Sequence, residues 1–285
     1  MTEILLQKSG SKALESFLRT ETGLDSITLC FLAFALECEE AGGCADINMM
    51  TAELGAVCHP EGHRRPRSFT GRFISLEGGD GSGKTTQTKL LAEALQKEGH
   101  NAVATRALGG ASEAGARLRA LILNPDYHWN SVAEGLLTIA VLRETLAGVI
   151  IPALEGGSWV VCDRLIDTFM VYLCDESAGL TPAIYLRWYD ILVADIAPGL
   201  MPDITFLLDL PYEKAQERRD SRTEGRLDRN EAKGEAFHRS VFERYRAFAK
   251  TDPRLVVVDA LLPEVKLTEA MAHIVKTHEE ETGNA

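Results

Sequence analysis

Cysteine is scarce: six residues in 285, and no two of them form a CxxC pair. Cys30, Cys38, Cys44, Cys58, Cys162 and Cys174 are too few and too scattered for a disulfide scaffold, which points to a reducing compartment such as the cytoplasm. Four of them fall between 30 and 58, near His59 and His63, so zinc binding stays open there without the paired spacing it usually takes. An excess of positive charge is also lacking, since 30 Lys+Arg against 42 Asp+Glu leave a net −12. That balance argues against nucleic acid or an acidic membrane as partner, because both require an extended basic surface. An anionic substrate would need a local cluster of arginines. The apolar run Ile27–Leu36 has ten residues, too short to cross a bilayer. Glu37, Glu39 and Glu40 follow it where a signal peptide would carry small residues for cleavage. There is no internal repeat and no low-complexity tract. A chain 45% hydrophobic and 25% charged is globular, which excludes disordered and fibrous classes.

Composition shifts near residue 70. The stretch CHPEGHRRPRS at 58–68 reads as a linker, so residues 1–70 form an N-terminal extension, helical or poorly ordered, and 71–285 form the main domain. Beyond it, short apolar runs alternate with helix-length segments. The strands are expected at Arg72–Glu77, Asn101–Thr105, Ser158–Cys162, Ile204–Leu208 and Arg254–Val258. Their nearly continuous apolar character suits strands buried on both faces. Helices are expected over Lys84–Glu98, Glu113–Leu123, Val132–Leu154, Thr181–Ala194, Pro211–Arg222, Glu231–Ala249 and Pro263–Glu280. This alternation predicts an α/β fold, a doubly wound five-stranded parallel sheet with helices on both faces. Ligands in such sheets bind beyond the carboxyl ends of the strands.

Directly after the first strand comes Gly78-Gly79-Asp80-Gly81-Ser82-Gly83-Lys84-Thr85, a full GxxxxGK[ST] phosphate loop, followed by Thr86. Glycines let backbone amides wrap phosphates at close range, and the helix that follows adds the positive end of its dipole. Lys84 reaches the outer phosphates and the Thr85 hydroxyl can ligate Mg²⁺. Residues 78–86 are therefore the expected ATP site. Arg106 follows the second strand, and Asp163-Arg164 follow the third. The carboxylate can hold Mg²⁺, and a guanidinium can grip a phosphate with two parallel hydrogen bonds. Between 218 and 231 the sequence RRDSRTEGRLDRNE suits an arginine-rich lid that closes positive charge onto a transferring phosphoryl group.

These motifs resemble the thymidylate (dTMP) kinase family of P-loop nucleoside monophosphate kinases. The likeness runs from about Arg72 to the last helix through RFISLEGGDGSGKTTQ, TRALGG, PALEGGSWVVCDR, PDITFLLDL, LDRNE and VVVDA, in order and spacing. It implies transfer of the γ-phosphoryl of ATP to dTMP with Mg²⁺, within dTTP synthesis, usually by a cytoplasmic homodimer. Carried over by position, it puts Lys84 and Asp80 among the catalytic residues, with Arg164 on the acceptor phosphate. Asp163 lies near the metal, Arg106 lines the acceptor side, and Tyr172 belongs to the acceptor pocket. Ser82 in the phosphate loop and an arginine-rich lid match the bacterial type, in which lid arginines serve the transfer. Arg222, Arg226 and Arg229 are the candidates, Arg229 on the ATP side. The loop at Asp259-Ala260 is expected near the adenine.

The acceptor-base half departs from the family pattern. Arg-Glu-Pro-Gly-Gly is replaced by Arg106-Ala107-Leu108-Gly109-Gly110. Thr138 stands where a base-stacking Phe is expected, and Leu142 where an arginine contacts the base. Arg143 is one position later, about 100° around a helix, and is a replacement only if the register shifts. Leu173 follows Tyr172 in place of Gln. Two alternatives therefore stay open: a kinase for another pyrimidine or modified nucleoside monophosphate, and a nucleotide-binding regulatory module without catalysis.

Overall fold

The computed structural model describes residue 32 and residues 69–283, other than 110–111, 176–177, 195 and 222–228. Five strands form one parallel sheet: β1 (Phe73–Glu77), β2 (Ala102–Arg106), β3 (Trp159–Asp163), β4 (Ile204–Asp209) and β5 (Leu255–Asp259), in the order β2-β3-β1-β4-β5. Each lies within a residue of its expected span. Side chains alternate between the faces. Phe73, Val160 and Cys162 enter one core, while Ile74, Leu76 and Val161 enter the other. The inner strands β1, β3 and β4 are buried on both faces and carry no polar face to betray alternation, while the edge strands β2 and β5 are partly exposed.

The second core is covered by α1 (Lys84–Lys97), through Leu91 and Leu95, and by the C-terminal helix Glu264–Gly283, through Leu267, Met271 and Val275. The first is covered by α2 (Glu113–Leu123), α3 (Ser131–Thr145), α4 (Ile151–Glu155), α5 (Ile166–Tyr172) and α6 (Pro182–Val193). Beyond β4 come α7 (Tyr212–Asp220) and α8 (Glu235–Ala249), so the C-terminal helix is α9. Leu32, from the segment read as an extension, is fully buried in the first core. The four cysteines at 30–58, with His59 and His63, lie outside the described residues.

Two differences from expectation have physical causes. The single helix expected over 132–154 is divided by a π-helical turn, Leu146–Ile150, in which the Ile151 amide reaches Leu146 O. Pro152 has no N–H to donate, and its ring crowds the preceding turn, so the helix widens before it. The run Ser131–Glu155 is long and apolar enough for a membrane span, but two thirds of its most apolar window (67%) is buried inside the fold, as suits a core helix. Helix α5 was not expected. All seven of its residues are buried, so it offers no polar face from which a helical period could be read.

Candidate active site

Register gathers the motifs at the carboxyl end of the sheet. Leu76 pairs with Asp163 across β1 and β3, and Arg106 pairs with Asp163 across β2 and β3. The phosphate loop leaves β1 beside them. Gly81 has φ +89, and a Cβ there would lie 2.5 Å from Ala215 O; at Gly79 a Cβ would overlap the Phe242 ring. Both positions therefore demand glycine. The loop enters α1 at Gly83, which supplies no side-chain cap, so the first amides of the helix stay open to an anion.

The loop, α1 and the strand ends open on a cavity of about 250 Å³. Asp80, Gly81, Gly83, Lys84, Thr85 and Thr86 line one end, and Arg106, Asp163, Arg164 and Tyr172 line the middle. Ser82 is buried, with its amide donating to Gly79 O at 3.2 Å. Lys84 Nζ folds back onto Gly78 O (2.9 Å) and Gly79 O (2.7 Å). Burial, reinforced by Arg164, depresses its pKa to about 8, while Asp80, Asp163 and Glu77 oppose the fall. A polyphosphate would supply the missing anion.

Arg164 is the centre of the polar network. Its Nη2 meets Asp80 Oδ1 at 2.5 Å and Tyr172 OH at 3.3 Å; its Nη1 meets Thr168 Oγ1 at 3.1 Å and Gly78 O at 3.3 Å. The guanidinium also lies over the Tyr172 ring, 4.8 Å from the centroid. Burial disfavours the Asp80 carboxylate, but Arg164 and Lys84 outweigh it and hold the carboxyl below its usual range. Arg164 has φ +71, a left-handed conformation that costs any residue with a Cβ free energy.

Thr85 Oγ1 donates to Asp163 Oδ2 at 2.5 Å, and Arg106 Nε lies 3.6 Å from the same oxygen. Asp163 Oδ1 is buried without a hydrogen-bond partner. An orphaned carboxylate oxygen beside a hydroxyl, both hard ligands, fits Mg²⁺, which characteristically takes few protein oxygens and completes its shell with phosphate and water. Among the described residues no cluster of three or more His, Cys, Asp or Glu suits a metal.

The other end of the cavity is apolar: Leu108, Ile122, Val141, Phe169 and Leu173 line it, with Arg119, Glu134 and Thr138 as polar neighbours. Thr138 Oγ1 is committed to Glu134 O at 2.6 Å. Leu142 is fully buried in the core. Arg143, expected at the acceptor base, is turned away: it is 3% exposed and its Nη1 donates to Leu192 O at 2.6 Å. The helix keeps its register, so Arg143 projects to a different side from position 142 and does not replace the missing base contact. Arg229, expected toward ATP, instead pairs with Glu134 at the acceptor end. Arg222 and Arg226 lie outside the described residues. Residues 218–220 belong to α7, within the helix expected over Pro211–Arg222, and Arg218 Nη2 donates to Ala260 O at 3.0 Å, bridging that helix to the loop after β5.

Glu77, Arg119, Glu134, Thr168 and Tyr245 were not singled out from sequence. Glu77 had a signal, a carboxylate closing a mostly apolar strand. Tyr245 had none, because an aromatic on a helical stripe reads as core.

A parallel sheet with a phosphate loop after its central strand, an Asp-Arg pair on the neighbouring strand and a second cavity end for an acceptor define a P-loop nucleoside monophosphate kinase. The thymidylate kinase family model matches residues 76–271. A thymidylate kinase of Rhizorhabdus wittichii is 38% identical over 215 residues, covering 72% of this chain and 98% of its own length. One from Chlamydia muridarum is 41% identical over 204 residues, covering 71% and 98%. The chain belongs to the thymidylate kinase family.

Proposed function

We propose that the protein is an ATP-dependent thymidylate kinase that converts ATP and dTMP to ADP and dTDP for dTTP synthesis. The observation that carries this reading is the single cavity joining the phosphate loop to Arg106 and Arg164. It supports binding of donor and acceptor phosphates side by side. Lys84 and the α1 amides hold the donor, and Arg164 and Arg106 hold the acceptor. A phosphate oxygen of dTMP attacks the γ-phosphorus, the bond to the β–γ bridging oxygen breaks, and ADP leaves with that electron pair. The nucleophile is already ionised, so no general base is needed, and catalysis is positioning and charge neutralisation. Thr85 and Asp163 would hold Mg²⁺, which would supply neutralisation of phosphate charge when bound. Arg222 and Arg226 of the lid add positive charge on closure. The catalytic unit is residues 71–285, with 1–70 an extension that contributes Leu32 to its core. The enzyme works in the cytoplasm as a homodimer, as the family resemblance implies, and uses neither nucleic acid nor membrane.

The apolar acceptor end favours a second reading, a relaxed choice of pyrimidine base. A site without hydrogen bonds to the base edge discriminates weakly between bases. Steady-state ADP release with ATP, Mg²⁺ and a panel of dTMP, dUMP, dCMP and purine monophosphates tests both. Saturation with dTMP is expected. No turnover with any monophosphate would refute the kinase, and a strong preference for another base would replace the acceptor.

A further inference from the structure

Glu77 is fully buried at the end of β1, and the transfer described above makes no use of it. Its carboxylate accepts three hydrogen bonds. Leu165 N–H donates to Oε1 at 2.7 Å, while Thr168 Oγ1 (2.6 Å) and Tyr245 OH (2.7 Å) donate to Oε2. A buried carboxylate is expensive even when paired, so its presence calls for a reason. All three donors converge on Arg164.

Leu165 follows the left-handed residue. The Arg164 amide donates to Leu76 O at 2.9 Å and the next amide to Glu77, so the strained turn is pinned on both sides by consecutive residues of β1. Thr168 and Tyr245 act on the guanidinium. Each gives its only hydroxyl proton to the carboxylate, which leaves oxygen lone pairs facing Arg164 Nη1 at 3.1 and 3.5 Å. Nη1 is thereby held from behind while Nη2 stays on the cavity side with Asp80 and Tyr172. Without the carboxylate the two hydroxyls, 2.9 Å apart, can bond to each other, and the guanidinium loses its fixed acceptors.

We propose that Glu77 is a positioning residue for phosphoryl transfer: through Thr168, Tyr245 and the Leu165 amide, its carboxylate fixes the turn and guanidinium of Arg164 toward the acceptor phosphate. This rests on Arg164 being the acceptor-phosphate ligand. The test compares full-length wild type, Tyr245→Phe, Glu77→Gln and Arg164→Ala at about pH 8, where the Glu77 carboxyl is ionised, in steady-state kinetics with ATP, Mg²⁺ and dTMP, alongside thermal unfolding. Tyr245→Phe removes one hydroxyl and is expected to lower kcat/KM for dTMP about 3–10-fold, and Glu77→Gln about 10–100-fold. In both, KM for ATP stays within about twofold and the unfolding temperature of Glu77→Gln does not fall. Unchanged kcat/KM for dTMP in both variants would overturn the proposal. So would parallel losses in the ATP and dTMP parameters with lowered unfolding temperature, the pattern of a scaffold residue. Should Glu77→Gln fail to fold, Tyr245→Phe decides alone. An inactive wild type, or an Arg164→Ala enzyme of normal activity, refutes the underlying reading, and the role of Glu77 with it.

Discussion

The Arg229 guanidinium is paired with the Glu134 carboxylate, joining the segment before α8 to α3 beside the cavity that Glu134 lines. Both side chains are largely buried, at 15% and 10% exposure, and the Arg229 amide donates to Leu123 O at 3.1 Å. The charge of Arg229 is thus committed to another side chain of the protein.

Breaking this tie should weaken the hold on dTMP. Arg229→Ala is expected to raise KM for dTMP more than KM for ATP, because it also strands Glu134 as a buried unpaired charge. A double-mutant cycle with Glu134→Gln should give a coupling of about 1–3 kcal/mol in kcat/KM. Additive single effects would show that the pair does not bear on the acceptor.

Asp163→Asn replaces the orphaned oxygen and removes the charge beside Thr85. The Mg²⁺ concentration giving half-maximal rate should rise about 10–100-fold, as for loss of a metal-orienting partner. An unchanged Mg²⁺ titration would remove Asp163 from the metal's surroundings.

Thr138→Phe places an aromatic ring in the apolar end of the cavity. Stacking contributes about 0.5–1.5 kcal/mol, so KM for dTMP should fall by about two- to tenfold. The gain should extend to other pyrimidines, since a ring face reads shape rather than hydrogen-bond pattern. A raised KM would mean that Glu134 and Val141 leave no room for the ring.

The Glu77 carboxyl is pushed up to about 7, first by burial and then by the Asp167 carboxylate, against the pull of Arg164, Thr168 and Tyr245. Its ordinary value is 4.5, so between 4.5 and about 7 the folded state holds a proton that the unfolded chain has released. The stability linked to that proton is fully present below 4.5 and is lost as pH rises through about 7. Glu77→Gln has no such loss. By chemical denaturation it should be more stable than wild type at about pH 8, with the advantage shrinking toward pH 4.5. A difference independent of pH would contradict the assignment.

Much of the site was legible before folding. Gly78–Thr85 signals itself because phosphate binding constrains residue type at each position, and Asp163-Arg164 because a strand end in this sheet faces the same crevice. Arg143 and Arg229 were legible as charges but not as contacts. One position along α3 turns a side chain by about 100°, which sends Arg143 to Leu192 O instead of the cavity. Arg229 was assigned by the family resemblance of its arginine-rich segment, and only its distant neighbour Glu134 decides where it points.

Local periodicity and motif chemistry alone determined a parallel α/β sheet with a phosphate loop and an acidic-basic pair at its carboxyl end, since these depend on residues close together along the chain. The tertiary structure decided the rest. Glu77, Arg164, Thr168 and Tyr245 form one network although as many as 168 positions separate its members. Burial of a charge, the proton it holds and the side chain it steadies depend on neighbours that only the packed sheet and helices bring within hydrogen-bond reach.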